Sequence, residues 1–295
     1  MNAKSDVLQP EVFPFFDSDS STFSYIVKDP TSSSCAIVDS VLDFDYPSGT
    51  VSYQGADKII QRVQEEKLSV ELIIETHVHA DHLSAAPYLQ DSLGGKIMIS
   101  KHITKVQEVF GTLFNAGSEF HRDGSQFDIL LEDNQEYSIG GLRCVALHTP
   151  GHTPACMTHL IGDAAFIGDT LFMPDGGTAR VDFPGGDART LFKSIHRLLS
   201  LPDETKMFMC HDYQPNGREL KHSCTAKEQR LSNIHVKTGV TEDEFVKLRE
   251  TRDKTLGMPR LILPSLQINM TAGHFPEPEG NNTTYLKVPI SGLKI

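Results

Sequence analysis

The sequence predicts an α/β protein in which two mixed sheets are flanked on their outer faces by helices. Two observations carry that expectation. Short apolar runs of strand length fall in two blocks, and helical patterns accompany each block. No short internal period points to a solenoid instead.

The first block opens with "TFSYIV" and "CAIVD", strand-like runs joined by the Pro- and Ser-rich "KDPTSSS", which reads as a hairpin or meander. In "GADKIIQRVQEEKL", Ile59, Ile60 and Val63 recur at helical spacing with charges between them. "VELIIET" is the next strand. "SAAPYLQDSLG" and "ITKVQEVFGTLF" are helices on either side of the strand "KIMIS". The second block runs through "FDILLED", "EYSIGGLRCVALHTP", "ACMTHLIG" and "AAFIGDTLF", then the helix "DARTLFKSIHRLLSL" and the strand "KMFMCHD". Two helices follow, "TAKEQRLSNI" and "TEDEFVKLRETRDKT"; the second begins with Thr241 and Glu244 in capping-box positions. Beyond them, the Pro-punctuated "MPRLILPSLQINMTAGHFPEPEGNN" reads as an extended segment wrapping the core. The expected organisation is one unit over residues 10–255, with a C-terminal extension, 256–295, packed on it.

Composition removes several function classes. Hydrophobic residues make up 39% and charged residues 22% of the 295, which is ordinary globular usage. A net charge of -12 argues against a broad basic face for nucleic acid. No run approaches the ~20 apolar residues that span a bilayer, and the first residues lack the apolar stretch of a secretory signal. Neither nucleic acid nor membrane is an expected partner. Five scattered cysteines without a CxxC fit a reduced, cytoplasmic protein.

The chemistry concentrates in "ELIIETHVHADHL". After an apolar strand, His77, His79, Asp81 and His82 arrive within six positions. Imidazole and carboxylate are the ligands of zinc and iron. In an extended segment His77 and His79 share a side, whereas Asp81 and His82 follow a turn, at the expected start of the next helix. A solvated loop rich in histidine is the bland alternative, and so dense a group directly behind a buried strand disfavours it. One strand end cannot complete a metal shell. Further candidates occupy the same position behind later strands: His148 and His152 in "ALHTPGHTPACM", Asp169 in "AAFIGDTLF", and His211 in "MFMCHDYQ".

HxHxDH at His77 to His82, His152 in "HTPGHTP", Asp169 in "IGDTLF" and His211 in "CHDY" resemble the metallo-β-lactamase superfamily in order and context, over roughly residues 20–215. The resemblance implies an αββα four-layer sandwich with a metal site at one edge between the sheets. The "HTPGHTPACM" loop is similar to that of glyoxalase II and of persulfide dioxygenases, and "GGTARVDFPGG" after Asp169, "CHDY" around His211 and "LGMPRLILPSLQINM" near the end are similar to the persulfide dioxygenase branch, a relative of glyoxalase II. That branch implies one Fe(II) per chain, held by His77, His152 and Asp169, with His79, Asp81, His82 and His211 around them. It implies oxidation of glutathione persulfide, or a related thiol persulfide, by O2 and water to sulfite and thiol. The alternative is a dinuclear zinc thioester hydrolase of glyoxalase II type. In it the same four surrounding residues would become ligands of two Zn(II), with Asp169 bridging.

Glutathione carries carboxylates, so a cation is expected at the mouth. Arg180 in "GTARVDF" is the candidate, with Tyr213 as a hydrogen-bond donor. Arg180 paired structurally with Asp182 and Tyr213 as a packed aromatic are the competing readings. The family segment is "GRTDF"-like and slightly shorter, which bears on where Arg180 aims. Cys156 and Cys210 lie beside candidate ligands and read as small buried hydrophobes rather than redox groups. A sulfurtransferase supplying the persulfide, and a homodimer using the apolar "LKVPISGLKI", complete the partner expectations.

Overall fold

Alternation along the first strands decides the architecture. On β2 (Thr22–Lys28) Tyr25 and Val27 enter one core and Ile26 another. β3 (Ser34–Val38) sends Ala36 and Val38 to the first and Ile37 to the second. A period of two buried on both faces means a sheet covered on both sides. The structure, a computed structural model, describes residues 8–290.

Strands β1 (Glu11–Asp17), β4 (Val41–Asp45) and β5 (Thr50–Ser52) lie near the N-terminus; β6 (Ser69–Ile74), β7 (Leu83–Ser84), β8 (Lys96–Ser100) and β9 (Ile129–Leu131) follow. The first sheet has the order β1-β2-β3-β6-β8-β9, antiparallel up to β3 and parallel beyond. The second comprises β10 (Gln135–Ile139), β11 (Leu142–His148), β12 (Met157–Ile161), β13 (Ala164–Phe166), β14 (Lys206–Phe208) and β15 (Ser223–Thr225), in that order. Only β13 and β14 are parallel within it. A small sheet, β5-β4-β7, sits beside them.

Between the two large sheets Tyr25, Val38, Ile74 and Met98 meet Ala146, Met157, Phe166 and Phe208. Outside the first sheet, Ile37, Ile73 and Ile97 pack on α1 (Gln54–Glu65), α2 (Ala86–Leu93) and α3 (Ile103–Leu113). Outside the second, Ala165 and Met207 pack on α4 (Ala188–Leu199) and share a core with Ala226 of α5 (Ala226–Ser232) and Phe245 of α6 (Glu242–Asp253). This is the αββα sandwich. The Thr241/Glu244 capping box is present at α6.

Besides the short strands β4, β5, β7 and β15, which the sequence reading did not include, two elements depart from it. β1 escaped it because Pro14 interrupts the run, yet β1 is an edge strand, where proline is tolerated. The tail is not simply extended. Ile262–Asn269 forms α7, whose Pro264 falls in the first turn and whose residues are nearly all buried, so no amphipathic period marks it. The last five residues of the expected extension, 291–295, lie outside the described range, as does the end of "LKVPISGLKI". No helix among the described residues is long and apolar enough to cross a membrane.

One core residue makes the fold acid-sensitive. His159 of β12 is fully buried, with Tyr137 Oη 2.8 Å from Nδ1 and Nε2 unpartnered. Burial pushes its pKa down to about 4. The unfolded chain therefore takes a proton below about 6.5 that the folded chain refuses, so stability is full above that pH and falls as pH drops toward 4. The loss is on the order of 3 kcal/mol. Melting curves of wild type and His159→Gln between pH 7 and 4 should diverge, the variant losing less; parallel curves would exclude this residue as the cause.

Candidate metal centre

The site is built from strand ends. Behind β6 the chain leaves regular structure at Glu75 and enters the histidine loop. Asp39, just past β3, fixes that loop: Thr76 donates its N–H to Asp39 Oδ1 (2.8 Å) and its hydroxyl to Oδ2 (2.9 Å). From α7, the Asn269 amide donates to the carbonyls of His79 (2.9 Å) and His82 (2.8 Å) and accepts from Ser84 N–H. His82 leads into β7 rather than directly into a helix, which corrects the expected helix start.

Each imidazole has one nitrogen tied down. His77 Nδ1 lies 3.0 Å from Thr76 Oγ1, whose own proton goes to Asp39, so His77 is the donor. His152 Nδ1 donates to the Arg180 carbonyl (2.8 Å). His79 directs Nε2 to Asp39 Oδ1 (3.1 Å) and Glu75 Oε2 (3.4 Å). His211 Nδ1 and His82 Nδ1 both approach Thr22 Oγ1, at 3.2 and 3.4 Å. Anchoring one ring nitrogen fixes the tautomer and presents the other as a lone pair.

The presented atoms lack hydrogen bonds, although His211 Nε2 stands 3.3 Å from Asp169 Oδ1 and 3.4 Å from Asp81 Oδ2. His79 Nδ1, His82 Nε2, His211 Nε2, Asp81 Oδ2 and Asp169 Oδ1 are buried without a hydrogen bond. Leaving such groups unsatisfied costs about 1–3 kcal/mol apiece, so the cluster calls for a cation. Asp169 Oδ2 stands 3.6 Å from His152 Nε2 and 3.9 Å from His77 Nε2. Those gaps are too long for hydrogen bonds and close to the spacing of two ligands each about 2.1 Å from one ion. His77, His152 and Asp169 form one ligand group; His79 joins different groups, with Asp81 and His82 or with Cys210 and His211. The residues present fit a metal.

The charge states of His77 and Asp81 suit a ligand role, and those of His79 and His211 are set by the carboxylates beside them. Burial, then the neighbouring imidazoles, holds His77 well below its usual pKa, hence neutral and free to ligate. Burial also pushes His79 down, but Asp39 and Glu75 override it and leave it well above the ordinary range. His211 is raised in spite of burial by Asp169 and Asp81. Asp81 is lowered, with His211 and His82 overcoming its burial.

Two glycines make the geometry possible. Gly168 (φ 50°) precedes Asp169, and a Cβ there would stand 2.7 Å from Thr76 Oγ1, the anchor of His77. Gly151 (φ 133°) lets the loop carrying His152 lie against the backbone at Leu191.

Above Asp169 and His152 opens a cavity of about 420 Å³ walled by Phe172, Phe183, Tyr213 and four arginines. Arg180 is in that wall, but its guanidinium is committed. It holds Asp182 through two bonds (2.6 and 2.7 Å) and donates to the Gly257 carbonyl (2.7 Å). The pairing with Asp182, the competing reading, is therefore present, with Arg180 still in the cavity wall. Arg249 is paired with Asp253. Arg252 and Arg260 are exposed, and neither has an ion-pair partner among the described residues. Tyr213 lies nearly parallel to the His211 ring at a centroid distance of 5.6 Å and reaches the cavity, half exposed. His148 is drawn elsewhere, bonded to the Pro154 carbonyl (2.8 Å) and stacked on His102.

Cys156 and Cys210 are buried free thiols. Burial pushes Cys156 up to about 12, and Cys210 is raised by burial and Asp39. Both stay protonated, as inert residues do.

The sequence reading missed Asp39, Glu75, Thr22, Asn269, Arg252 and Arg260. Asp39 had a signal: it ends the apolar run "CAIVD" just as Asp169 follows its own.

Comparison with known proteins agrees with the geometry. Residues 18–211 match the family model of the metallo-beta-lactamase superfamily. A probable metallo-hydrolase of Burkholderia pseudomallei is 54% identical, covering 95% of this chain and 98% of that protein. Glyoxylase B2 of Dictyostelium discoideum is 46% identical, over 96% and 97%. The persulfide dioxygenase ETHE1 of Homo sapiens is 29% identical, over 88% and 87%. The crystal structure of ETHE1 from Myxococcus xanthus superposes with a TM-score of 0.71 at 29% identity, covering 90% of this chain and 100% of that one.

Proposed function

Since the chain belongs to the metallo-beta-lactamase superfamily, whose members include hydrolases and dioxygenases, we propose that it is a persulfide dioxygenase acting on glutathione persulfide at one Fe(II). The observation that carries this is the separate convergence of His77, His152 and Asp169, two imidazoles and one carboxylate, below the cavity. That donor set is the facial triad of non-haem iron oxygenases. The likeness to ETHE1 proteins along nearly the whole chain supports it.

When bound, Fe(II) supplies the redox chemistry by which O2 oxidises the outer sulfur of the persulfide. The reaction balances as persulfide, O2 and water giving thiol and sulfurous acid, with four electrons passing from the outer sulfur to O2. The chain's residues do the remaining work. Thr76 and the Arg180 carbonyl orient the two imidazoles. Phe172 and Phe183 exclude water from the cavity floor. Arg252 and Arg260 receive the carboxylates of the thiol carrier, and Tyr213 donates a hydrogen bond.

The test is oxygen uptake by protein loaded anaerobically with Fe(II) and given glutathione persulfide. Uptake matched by sulfite supports the reading. No uptake, with hydrolysis of an S-acylglutathione by the zinc-loaded protein, sinks it. A specific observation favours that second reading: His211 Nε2 lies 3.3 Å from Asp169 Oδ1 and 3.4 Å from Asp81 Oδ2, with His82 Nε2 also lacking a hydrogen bond, a group suited to another ion. The metal-to-protein ratio separates one from two. In the dioxygenase, Arg252→Ala with Arg260→Ala should raise KM about tenfold and leave kcat nearly unchanged, because exposed ion pairs contribute uniform binding. An unaltered KM would remove these two residues from the substrate site.

A further inference from the structure

Arg249 is the largest fully buried side chain among the described residues, 1% exposed, and Asp253, one turn later on α6, is 3% exposed. They form an ion pair. Taking two charges out of water costs about as much as their attraction returns, so such a pair is a poor source of stability. Its contacts suggest another purpose. Arg249 Nη1 donates to the Thr178 carbonyl (3.0 Å), and Asp253 Oδ2 accepts from Val181 N–H (2.9 Å). The pair thus grips both ends of one irregular strap, residues 178–181. Between the grips lies Arg180, whose carbonyl accepts the His152 Nδ1 proton. Thr178 N–H is further held by His235 Nδ1 at 3.0 Å. The strap has no strand or helix of its own to keep that carbonyl in place.

We propose that Arg249 and Asp253 are positioning residues of the metal centre: their buried pair clamps the 178–181 strap so that the Arg180 carbonyl holds His152 with Nε2 toward the ion. The proposal rests on the ligand role of His152 in the reading above, and not on which metal or reaction the site uses. α6 then serves two purposes, since Arg252 on the same helix walls the cavity. Mis-set by a fraction of an ångström, the carbonyl would turn the ring and weaken its bond to the metal.

The experiment uses Co(II), whose visible absorption reports ligand geometry, bound to the full chain, with affinity measured by chelator competition. The variant R249M/D253L replaces the pair by apolar residues of similar size and removes both grips. It should melt within several degrees of wild type, bind Co(II) about tenfold more weakly and show a shifted visible band. D253N keeps an acceptor for Val181 N–H and should fall between the two. A merely structural pair would change melting and leave affinity and spectrum alone, which overturns the proposal. If R249M/D253L does not fold, R249K decides: it keeps the charge but shortens the reach to Thr178, and should weaken binding about threefold. Wild-type affinity in folded R249K overturns the clamp. H152A is the reference. If it binds Co(II) as wild type does, the ligand reading fails and takes the clamp with it; if it loses Co(II) while folded clamp variants do not, the clamp alone fails.

Discussion

His152→Ala should yield a folded protein that retains little metal through gel filtration and turns over at less than about a thousandth of the wild-type rate. The ring contributes one of the three donors that meet at Asp169 Oδ2 and His77, and it comes from a different loop than the other two. With it gone, His77 and Asp169 offer two donors, too few for a facial site. Folding should survive, because among the described residues the side chain's one hydrogen bond is to the Arg180 carbonyl. Metal content by atomic emission and turnover, measured on one preparation, test the two halves. Stoichiometric metal with more than a tenth of the rate would remove His152 from the ligand set.

Gly151→Ala should cost at least about 4 kcal/mol or prevent folding. A Cβ at that position would lie 2.3 Å from the Leu191 nitrogen and 2.4 Å from its Cα. Those are backbone atoms in the first turn of α4, and they cannot swing aside as a side-chain tip can. The turn is pinned by the loop itself: Asp187 N–H donates to the Gly151 carbonyl (2.9 Å), and Asp187 caps the helix through Thr190 N–H (2.7 Å). Gly49 supplies the control. It also has positive φ, 67°, but nothing within 4 Å of its Cβ position, so Gly49→Ala should lose only about 1 kcal/mol. Urea midpoints for the two variants should differ widely. Equal midpoints would show that the α4 contact yields.

The candidate ligands were legible because each follows an apolar run that ends a strand, which is where side chains from separate segments converge. His77, His152, Asp169 and His211 all show that pattern in one dimension. The outer support did not. Asn269 and the Arg249–Asp253 pair act on loops that precede them by 70 residues or more in the chain, with |i−j| of 187 to 190 for Asn269 and 71 to 72 for the pair. Hydrogen bonds of that span leave no local signature. The Arg180–Asp182 pair was legible for a local reason, since the two stand two residues apart. α7 was unreadable because burial on all sides erases the period by which a helix is recognised.

Asn269 also gives the histidine loop a history. His82 is made 187 residues before the side chain that secures its carbonyl. At about 5–20 residues per second of synthesis, the loop waits roughly 10–40 seconds for its tie. During that interval the four candidate ligands of the loop, His77, His79, Asp81 and His82, have emerged while the hydrogen bonds that hold the loop are incomplete. The carbonyls of His79 and His82 are therefore tied down only once α7 has been made.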